Sequence, residues 1–434
     1  MKFEDIKKLI DKMDKTVRYR SAMYKRYTTE SIPIETELNP AYIENEVKEK
    51  SKPDRRLYNH FEKEIVDSKV TYFVGHPVMV SSYNGDEGLN KFIDDFNISV
   101  NYEDLFAEIV KDSASAGVGG ILLYKNKDAE PRAIVLNPAE FMVWYYLQDP
   151  IYAIRKYIDD DDIETIEYFD ENYIYSYKKM DGEWVSQGEV LHGFSRVPII
   201  EVVNNKECQS DYHSVVKLID AYNRLISDLS NEIESFRLAY MVLENYRASE
   251  EDLQKIRMTG AIQVDKDGKV YFLTKNIDTK AVETMREILE RNICRFSGHV
   301  DTSTEPFVGN LTRIAVAFKL KPLEQKTLGY ERKFKSFLRE LYNTLFTFKA
   351  YNVNFDYKNL VFNFTRNVPV NTLEEVDMLV KLDGQVSEET RLGMMSFIDN
   401  PQDELAKMEE EKNKASVEEE PVEEEPINNQ FIGG

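Results

Sequence analysis

The feature that most constrains this chain is a run of apolar residues between Tyr212 and Leu243 that recur at alternating steps of four and three. This heptad spacing places the apolar side chains on one face of a helix, and that face needs a partner. A helix over 211–243 would span roughly 45 to 50 Å at 1.5 Å per residue. We therefore predict a partner that is a second long helix or a neighbouring subunit. An ordinary buried helix of a large domain would give the same pattern.

The predicted assembly seam consists of the apolar positions along this helix. Val215 precedes the seam and Leu243 follows it. The seam residues are Ile219, Tyr222, Ile226, Leu229, Ile233, Phe236 and Tyr240.

The composition describes a chain that can fold around a large core. Of its 434 residues, 42% are hydrophobic, and the length suggests two or three domains or one elongated subunit of several parts. No apolar run approaches the roughly eighteen residues of a membrane helix, and the N-terminus is charged and amphipathic. Cys208 and Cys294 lack metal or redox spacing, which fits core positions in a reducing compartment. We expect an intracellular protein without membrane contact.

The formal net charge of −22 opposes tight nucleic-acid binding, because proteins that hold the phosphate backbone cluster Lys and Arg. Part of this charge is at the C-terminus, where eleven Asp and Glu stand against three Lys after Pro401. Runs of like charge and few apolar residues predict a disordered acidic tail over 409–434. Solubility is its simplest role, and a regulated docking tail is the alternative.

The N-terminal segment, residues 1–51, predicts a helix followed by a polar arm that mixes aromatic and basic side chains. Such a mixture can bind nucleic acid by stacking. A peripheral contact surface is the interpretation that we prefer. The residues concerned are Arg18, Tyr19, Arg20, Tyr24, Lys25, Arg26 and Tyr27.

The periodicity of the remaining chain predicts an α+β protein. Residues 53–72 have helical spacing, and a further helix ends at a Gly-rich turn, Gly117 to Gly120, before a series of β-rich runs. Residues 260–274 predict a small hairpin with the turn DKDG. The next helix begins near Thr279 and ends at Ser297-Gly298.

The C-terminal part predicts mainly helices. A long amphipathic helix should run from about Thr312 to Lys349, with a kink at Pro322. One strand near 353–364 and two further helices follow before the tail.

The sequence carries no recognisable catalytic or cofactor motif. It lacks a phosphate loop, a dinucleotide fingerprint, a nucleophile elbow and a zinc-binding HExxH helix. The five histidines are not spaced as metal ligands, and the block Asp159 to Asp162 lacks the pattern of a calcium loop. We therefore expect no catalytic residues, no metal, no cofactor and no enzyme activity. An unrecognised nucleic-acid-modifying site, formed only on folding, remains the alternative.

The order of several segments resembles that of the portal proteins of tailed double-stranded DNA phages, of the long-tailed type that infects Gram-positive hosts. The segments are YFVGHPVMVSS, AYNRLISDLSNEIESFRLAYMVL, ICRFSGHVDTSTEPFVGN, IAVAFKLKPLEQKTLGYERKFKSFLREL and FTRNVPVNTLEEVDML. The resemblance covers residues from about 15 to 400.

The resemblance implies an elongated subunit with a mixed α/β wing, long stem helices, a small α/β clip, a kinked spine helix and a helical crown. Residues 1–51 would form the N-terminal helix and arm. The remaining parts would be the wing at 52–210, the first stem helix at 211–243, the clip at 244–278, the second stem helix at 279–298, the tunnel loop at 299–311, the spine at 312–350, a wing strand at 351–371, the crown at 372–408 and the acidic tail at 409–434.

The resemblance also implies partners and a channel. Twelve copies would form a homo-oligomeric ring that passes double-stranded DNA without sequence specificity. Terminase, a head-tail adaptor, and the major capsid and scaffold proteins would bind it. The protein itself would be located at the capsid portal vertex of the virion and, during assembly, in the host cytoplasm. The channel-facing residues would be His299, Asp301, Thr302, Ser303, Thr304, Glu305, Asn310, Arg313 and Lys319.

Two alternatives remain at the level of sequence. Arg313, Lys319 and Lys321 can contact passing phosphates, or they can pack against a neighbour or face solvent. For the whole protein, the competing interpretation is an intracellular coiled-coil scaffold or adaptor that dimerises through the seam and recruits partners through its acidic tail.

Overall fold

The computed structural model describes residues 3–36, 54–236, 240–244, 249, 254, 269–273, 278–300, 313–350, 355–368, 379–395, 398 and 401–418. They belong to two compact units, residues 1–309 with 319–367 and residues 310–318 with 368–434. The described helices are α1 (Phe3–Tyr27), α2 (Pro33–Thr36), α3 (Phe61–Val74), α4 (Glu87–Val100), α5 (Tyr102–Ala116), α6 (Val216–Phe236), α7 (Thr279–Ser297), α8 (Arg313–Leu345), α9 (Glu388–Leu392) and α10 (Pro401–Glu418).

The strands are antiparallel throughout the described residues. They are β1 (Met79–Ser82), β2 (Val118–Lys125), β3 (Pro131–Leu136), β4 (Phe141–Tyr146), β5 (Asp149–Ile158), β6 (Glu164–Phe169), β7 (Tyr173–Met180), β8 (Glu183–Leu191), β9 (Ile199–Val203), β10 (Tyr240–Glu244), β11 (Lys269–Leu273) and β12 (Leu360–Asn363). The mixture of helices and antiparallel sheets confirms the α+β class.

A five-stranded sheet in the order β4-β5-β6-β7-β8 carries helix α1 on one face. The apolar side chains of α1 recur at helical spacing and pack on strand residues such as Ile154, Ile166 and Tyr168. Helix α1 continues through Tyr27, so the aromatic and basic residues expected in an arm lie on a helix instead. The two charged residues Arg20 and Arg26 are buried within this unit. They therefore do not support the nucleic-acid interpretation.

The main core lies between α3, α4, α5, α8 and a three-stranded sheet in the order β3-β2-β9. Aromatic rings fill much of it, with Phe73, Phe106 and Phe334 in edge-to-face contact at 5.4 to 5.5 Å between ring centroids. Strand β12 returns from after α8 and pairs with β1, which brings Phe362 into this core. The chain thus closes this unit with a strand that is distant in sequence.

The Gly-rich turn after α5 is confirmed at one glycine. Gly117 ends α5 in the left-handed conformation, with φ of 90°, and its N–H donates to the Ser113 carbonyl at 2.9 Å. Gly120 lies within β2, where a Cβ would collide with the Phe141 ring. Close packing against Phe141, and not the turn, therefore explains the glycine at position 120.

Helix α6 differs from the sequence prediction at its C-terminal end, whereas α7 begins and ends at the predicted residues. Helix α6 ends at Phe236, and Tyr240–Glu244 forms β10, which pairs with β11. The heptad pattern over 211–243 therefore overestimated the helix, because β-branched and aromatic residues in YMVLE suit a strand as well as a helical core. Within the predicted hairpin at 260–274, only the second strand is described, as β11.

The long helix α8 contains Pro322 one-third of the way along its length. Proline removes the backbone hydrogen bond to the residue four positions earlier, which is the physical reason to expect a kink at Pro322. The kink itself remains a prediction. From Leu323 onward, α8 buries an aromatic and aliphatic face in the main core, including Tyr330, Phe334 and Leu338.

The second unit includes α9 and α10. Ser387 caps α9 by accepting from the Thr390 N–H at 3.3 Å. Helix α10 begins at Pro401 and runs to Glu418, so the prediction of disorder is wrong for residues 409–418. Proline suits the first position of a helix, and Glu, Lys and Met favour its interior, which outweighs the like-charge repulsion there.

Candidate assembly site

Helices α6 and α7 form a pair whose contacts are both apolar and polar. Ile219 and Tyr222 of α6 are in one buried cluster with Leu289 and Ile293 of α7. The Tyr222 hydroxyl also donates to Glu290 Oε1 at 2.6 Å. The partner helix predicted for the first half of the seam is therefore α7 of the same chain.

Burial decreases along the seam toward the end of α6. Ile219 is 0% exposed, Ile226 and Leu229 are half-buried, and Ile233 is 57% exposed. Ile233 is the most exposed of the described seam side chains, and it is available for a contact with another subunit. Phe236 ends α6 and Tyr240 begins β10, and the environment of their side chains lies outside the described residues.

Further large apolar side chains are exposed near the same helices. Met285 and Phe296 lie on α7, and Leu328 lies on α8, with exposures of 46%, 58% and 46%. Together with Ile233 they place exposed apolar area on α6, α7 and α8. These side chains are available for contacts between subunits, as are the other exposed apolar side chains of the described residues.

The predicted channel-facing residues are only partly described. His299 is buried: its Nδ1 lies 3.0 Å from Ser68 Oγ, and its Nε2 lies 3.0 Å from Glu64 Oε1. The assignment of His299 to a DNA-facing loop is therefore wrong, because the residue after the Gly298 cap turns inward against α3. The residues that lie outside the described ranges are Asp301, Thr302, Ser303, Thr304, Glu305 and Asn310.

Arg313 and Lys319 are in the first turns of α8. Lys319 is half-buried, and the side chain of Arg313 is outside the described part of the chain. Their contact with DNA remains a prediction.

Two buried ionic clusters hold the start of α6 to other helices of the first compact unit. Arg26 of α1 binds Glu62 of α3 and Asp220 of α6, each at 2.7 Å. Since Glu62 is completely buried, removing its cation would leave an uncompensated charge inside the protein. This cluster fixes the position of α6 relative to α1 and α3.

The second cluster surrounds Asp211, which is 8% exposed and precedes α6. Lys326 Nζ lies 3.0 Å and Lys69 Nζ 3.4 Å from Asp211 Oδ2, and the Asn204 amide donates to Oδ1 at 2.8 Å. Burial raises the pKa of Asp211, but the two lysines outweigh this effect and hold it below its usual value. Burial lowers the pKa of Lys69 to about 8.

Sequence reasoning missed both clusters. Arg26, Glu62 and Lys69 each lie on the buried face of their helix, and their partners are far away in sequence. Only the packing of α1, α3 and α6 brings these groups together. A weak signal was present, because Arg26 and Lys69 interrupt otherwise apolar or aromatic faces.

The described residues contain neither a metal-ligand cluster nor a membrane-spanning helix. Within the described ranges, no group of three or more His, Cys, Asp or Glu side chains is arranged to hold a metal ion. In those same parts of the chain, no helix has both the length and the apolar character needed to cross a membrane.

Comparisons with known proteins agree on one family. A family model described as phage portal protein, SPP1 Gp6-like, matches residues 6–418. A portal protein of Bacillus phage SPP1 is 28% identical over 395 residues, which cover 84% of this chain and 77% of that protein. A portal protein of Clostridium phage phiCD119 is 24% identical over 395 residues, which cover 84% of this chain and 86% of that protein.

Proposed function

Because this chain belongs to the SPP1 Gp6-like family of phage portal proteins, we propose that its exposed stem residues join copies of the subunit into a ring of twelve. The family role is a channel at one capsid vertex through which double-stranded DNA is packaged and later ejected. The family is structural, and its members are components of the virion. The observation that carries the proposal is the exposure of Ile233 on a seam whose first half is buried within the subunit.

Within this ring we assign a part to each region of the chain. Residues 52–210 with β12 act as the wing, α6 and α7 as the stem, and 237–278, which include β10 and β11, as the clip. Residues 300–311 act as the tunnel loop, 312–350, which include α8, as the spine, and 372–408 as the crown. The start of α6 lies against the end of α7, because Ser214 bonds to the Phe296 carbonyl and Tyr222 to Glu290, so the two helices are antiparallel. This arrangement and the antiparallel pairing of β1 with β12 support the stem and wing assignments.

The channel acts on DNA by weak interactions rather than by tight binding. A chain of net charge −22 repels phosphates, so DNA does not remain bound at any one position. Arg313 and Lys319, at the start of the spine, supply a few contacts that gate its movement. Such a channel has no sequence specificity, because phosphate contacts carry no base information.

The partners follow from this role. A separate terminase supplies ATP hydrolysis and binds at the clip, and a head-tail adaptor replaces it there after packaging. The wing contacts the major capsid protein, and scaffold protein assists assembly in the host cytoplasm. The absence of a phosphate-loop motif in the sequence supports a separate motor.

The test is the mass and shape of the assembled protein. We expect native mass spectrometry to give about twelve subunits, and negative-stain images of the same sample to give a ring with a central hole. The same measurement is repeated with capsid and scaffold proteins present. A compact dimer under both conditions would contradict the proposal and support the adaptor with its acidic tail.

A further inference from the structure

A cleft of about 630 Å³ lies where the loop after β9, the start of α6, the end of α7 and the middle of α8 meet. All of its lining residues belong to the first compact unit. A single subunit therefore contains the whole cleft, and what the cleft binds is a question separate from ring formation.

The charge of the cleft is opposite to that of the protein. Among its described lining residues, Asp211 supplies the one carboxylate, although the chain carries a net charge of −22. The cations that line it are Lys69, Lys206, Arg295, Lys326 and Lys333. On α8, Glu324 and Glu331 do not line the cleft but bind Arg366 at 3.0 and 2.6 Å.

These five cations differ in their partners. Lys69 and Lys326 are bound to Asp211, and Lys326 also donates to the Ser297 carbonyl at 2.9 Å. Lys206 and Arg295 are exposed, and Lys333 is half-buried. Within the described part of the chain, none of these last three forms an ion pair with a carboxylate. Three positive charges are thus left to attract an anion.

The surrounding groups favour an anion with several oxygen acceptors. The start of α6 directly follows the cleft residues His213 and Ser214, so the positive end of its helix dipole is near the cleft. Asn205 and Gln209 also line it and carry side-chain N–H donors. An Arg guanidinium with a Lys ammonium is a frequent combination for a phosphate group.

We propose that this cleft binds a phosphate group, with Arg295 and Lys333 as its principal ligands. Lys69 and Lys326, neutralised in part by Asp211, form its inner wall. The phosphate can be part of the DNA backbone or free in solution, because both present the same oxygens. The assignment goes beyond the channel function, since it names a discrete site within one subunit.

The test compares two double variants with equal changes of charge on the same two helices. R295E/K333E reverses the cleft cations, whereas R291E/R332E reverses two exposed arginines that do not line it. Binding of a short fluorescein-labelled DNA duplex is measured by anisotropy. Thermal unfolding is measured with inorganic phosphate in place of chloride at constant ionic strength. The neutral variant R295Q/K333Q repeats both measurements in case charge reversal prevents folding.

A site for backbone phosphate predicts DNA binding about tenfold weaker in R295E/K333E, with a change of less than about twofold in R291E/R332E. A site for free phosphate predicts that phosphate raises the Tm of the wild type and the control but not of R295E/K333E. Equal losses in both variants would overturn the proposal, because they would reflect general charge. Absence of both effects would also overturn it.

Native mass spectrometry of the same samples separates this proposal from the ring. If rings form and the variants do not differ in either phosphate assay, the cleft is not a phosphate site. The portal role is unaffected by that result. Loss of rings in R295E/K333E alone, with phosphate responses unchanged, would assign the cleft to a carboxylate of the neighbouring subunit and overturn the phosphate assignment.

Discussion

At the scale of single residues, the protein contains several buried charged side chains, and oppositely charged neighbours explain two clusters of them. Arg26 pairs with both Glu62 and Asp220, and Asp211 pairs with both Lys69 and Lys326. Asp112 on α5 is an exception. It is 3% exposed, and its Oδ1 has no hydrogen-bond donor within the described structure.

Asp112 gives a prediction about pH. The pKa of Asp112 is raised to about 7, mainly by burial. The charge of Lys111 acts to lower this pKa, and the charge of Glu108 acts to raise it. The folded state therefore keeps a proton that the unfolded state releases, and this group destabilises the protein as pH rises from about 4 to 7. The stability of D112N relative to wild type should increase by about 3 kcal/mol between pH 5 and pH 8.5.

Urea unfolding at these two pH values measures this difference. The control is D104N, which changes an exposed carboxylate on the same helix and should show little dependence on pH. A difference for D112N that stays constant between the two pH values would contradict the assignment of a raised pKa.

At the scale of elements, α6 combines two roles along one apolar face. Its first half packs on α7 through Ile219 and Tyr222, and its second half exposes Ile233. The heptad pattern is continuous across both halves, so it cannot distinguish a contact within the subunit from a contact between subunits. The exposed fraction of each side chain makes this distinction.

This division predicts different effects of the same substitution. I233D should reduce the ring mass in native mass spectrometry with unchanged circular dichroism, because an exposed Asp costs little in the isolated subunit. I219D should instead destabilise the subunit by about 3 to 5 kcal/mol, since it buries a charge in the cluster with Leu289 and Ile293. If I233D leaves the ring mass unchanged, α6 does not join subunits through this face.

At the scale of the whole molecule, the chain closes its main core with a late strand. Strand β12 pairs with β1 across more than 270 positions of sequence, and Phe364 stacks on Phe73 at 5.2 Å between ring centroids. A contact between such distant segments requires the C-terminal part to be present before the core is complete.

Two truncations test this organisation. Removal of residues 351–434 should abolish cooperative thermal unfolding, because it removes β12 and the aromatic rings of Phe362 and Phe364 from the core. Removal of residues 419–434 should leave the Tm within about 2 °C of the full chain. If the form that lacks residues 351–434 unfolds cooperatively at the Tm of the full chain, β12 does not close the core.

The sequence by itself determined the α+β class, the positions of the long helices, the Gly117 turn and membership of the portal family. These features depend on local periodicity, on turn residues and on the order of segments, all of which can be read along the chain. Tertiary structure decided that α6 ends at Phe236 and that His299 faces inward. It also assembled the basic cleft, because attraction between Asp211 and lysines from α3 and α8 acts through space and leaves no spacing in the sequence.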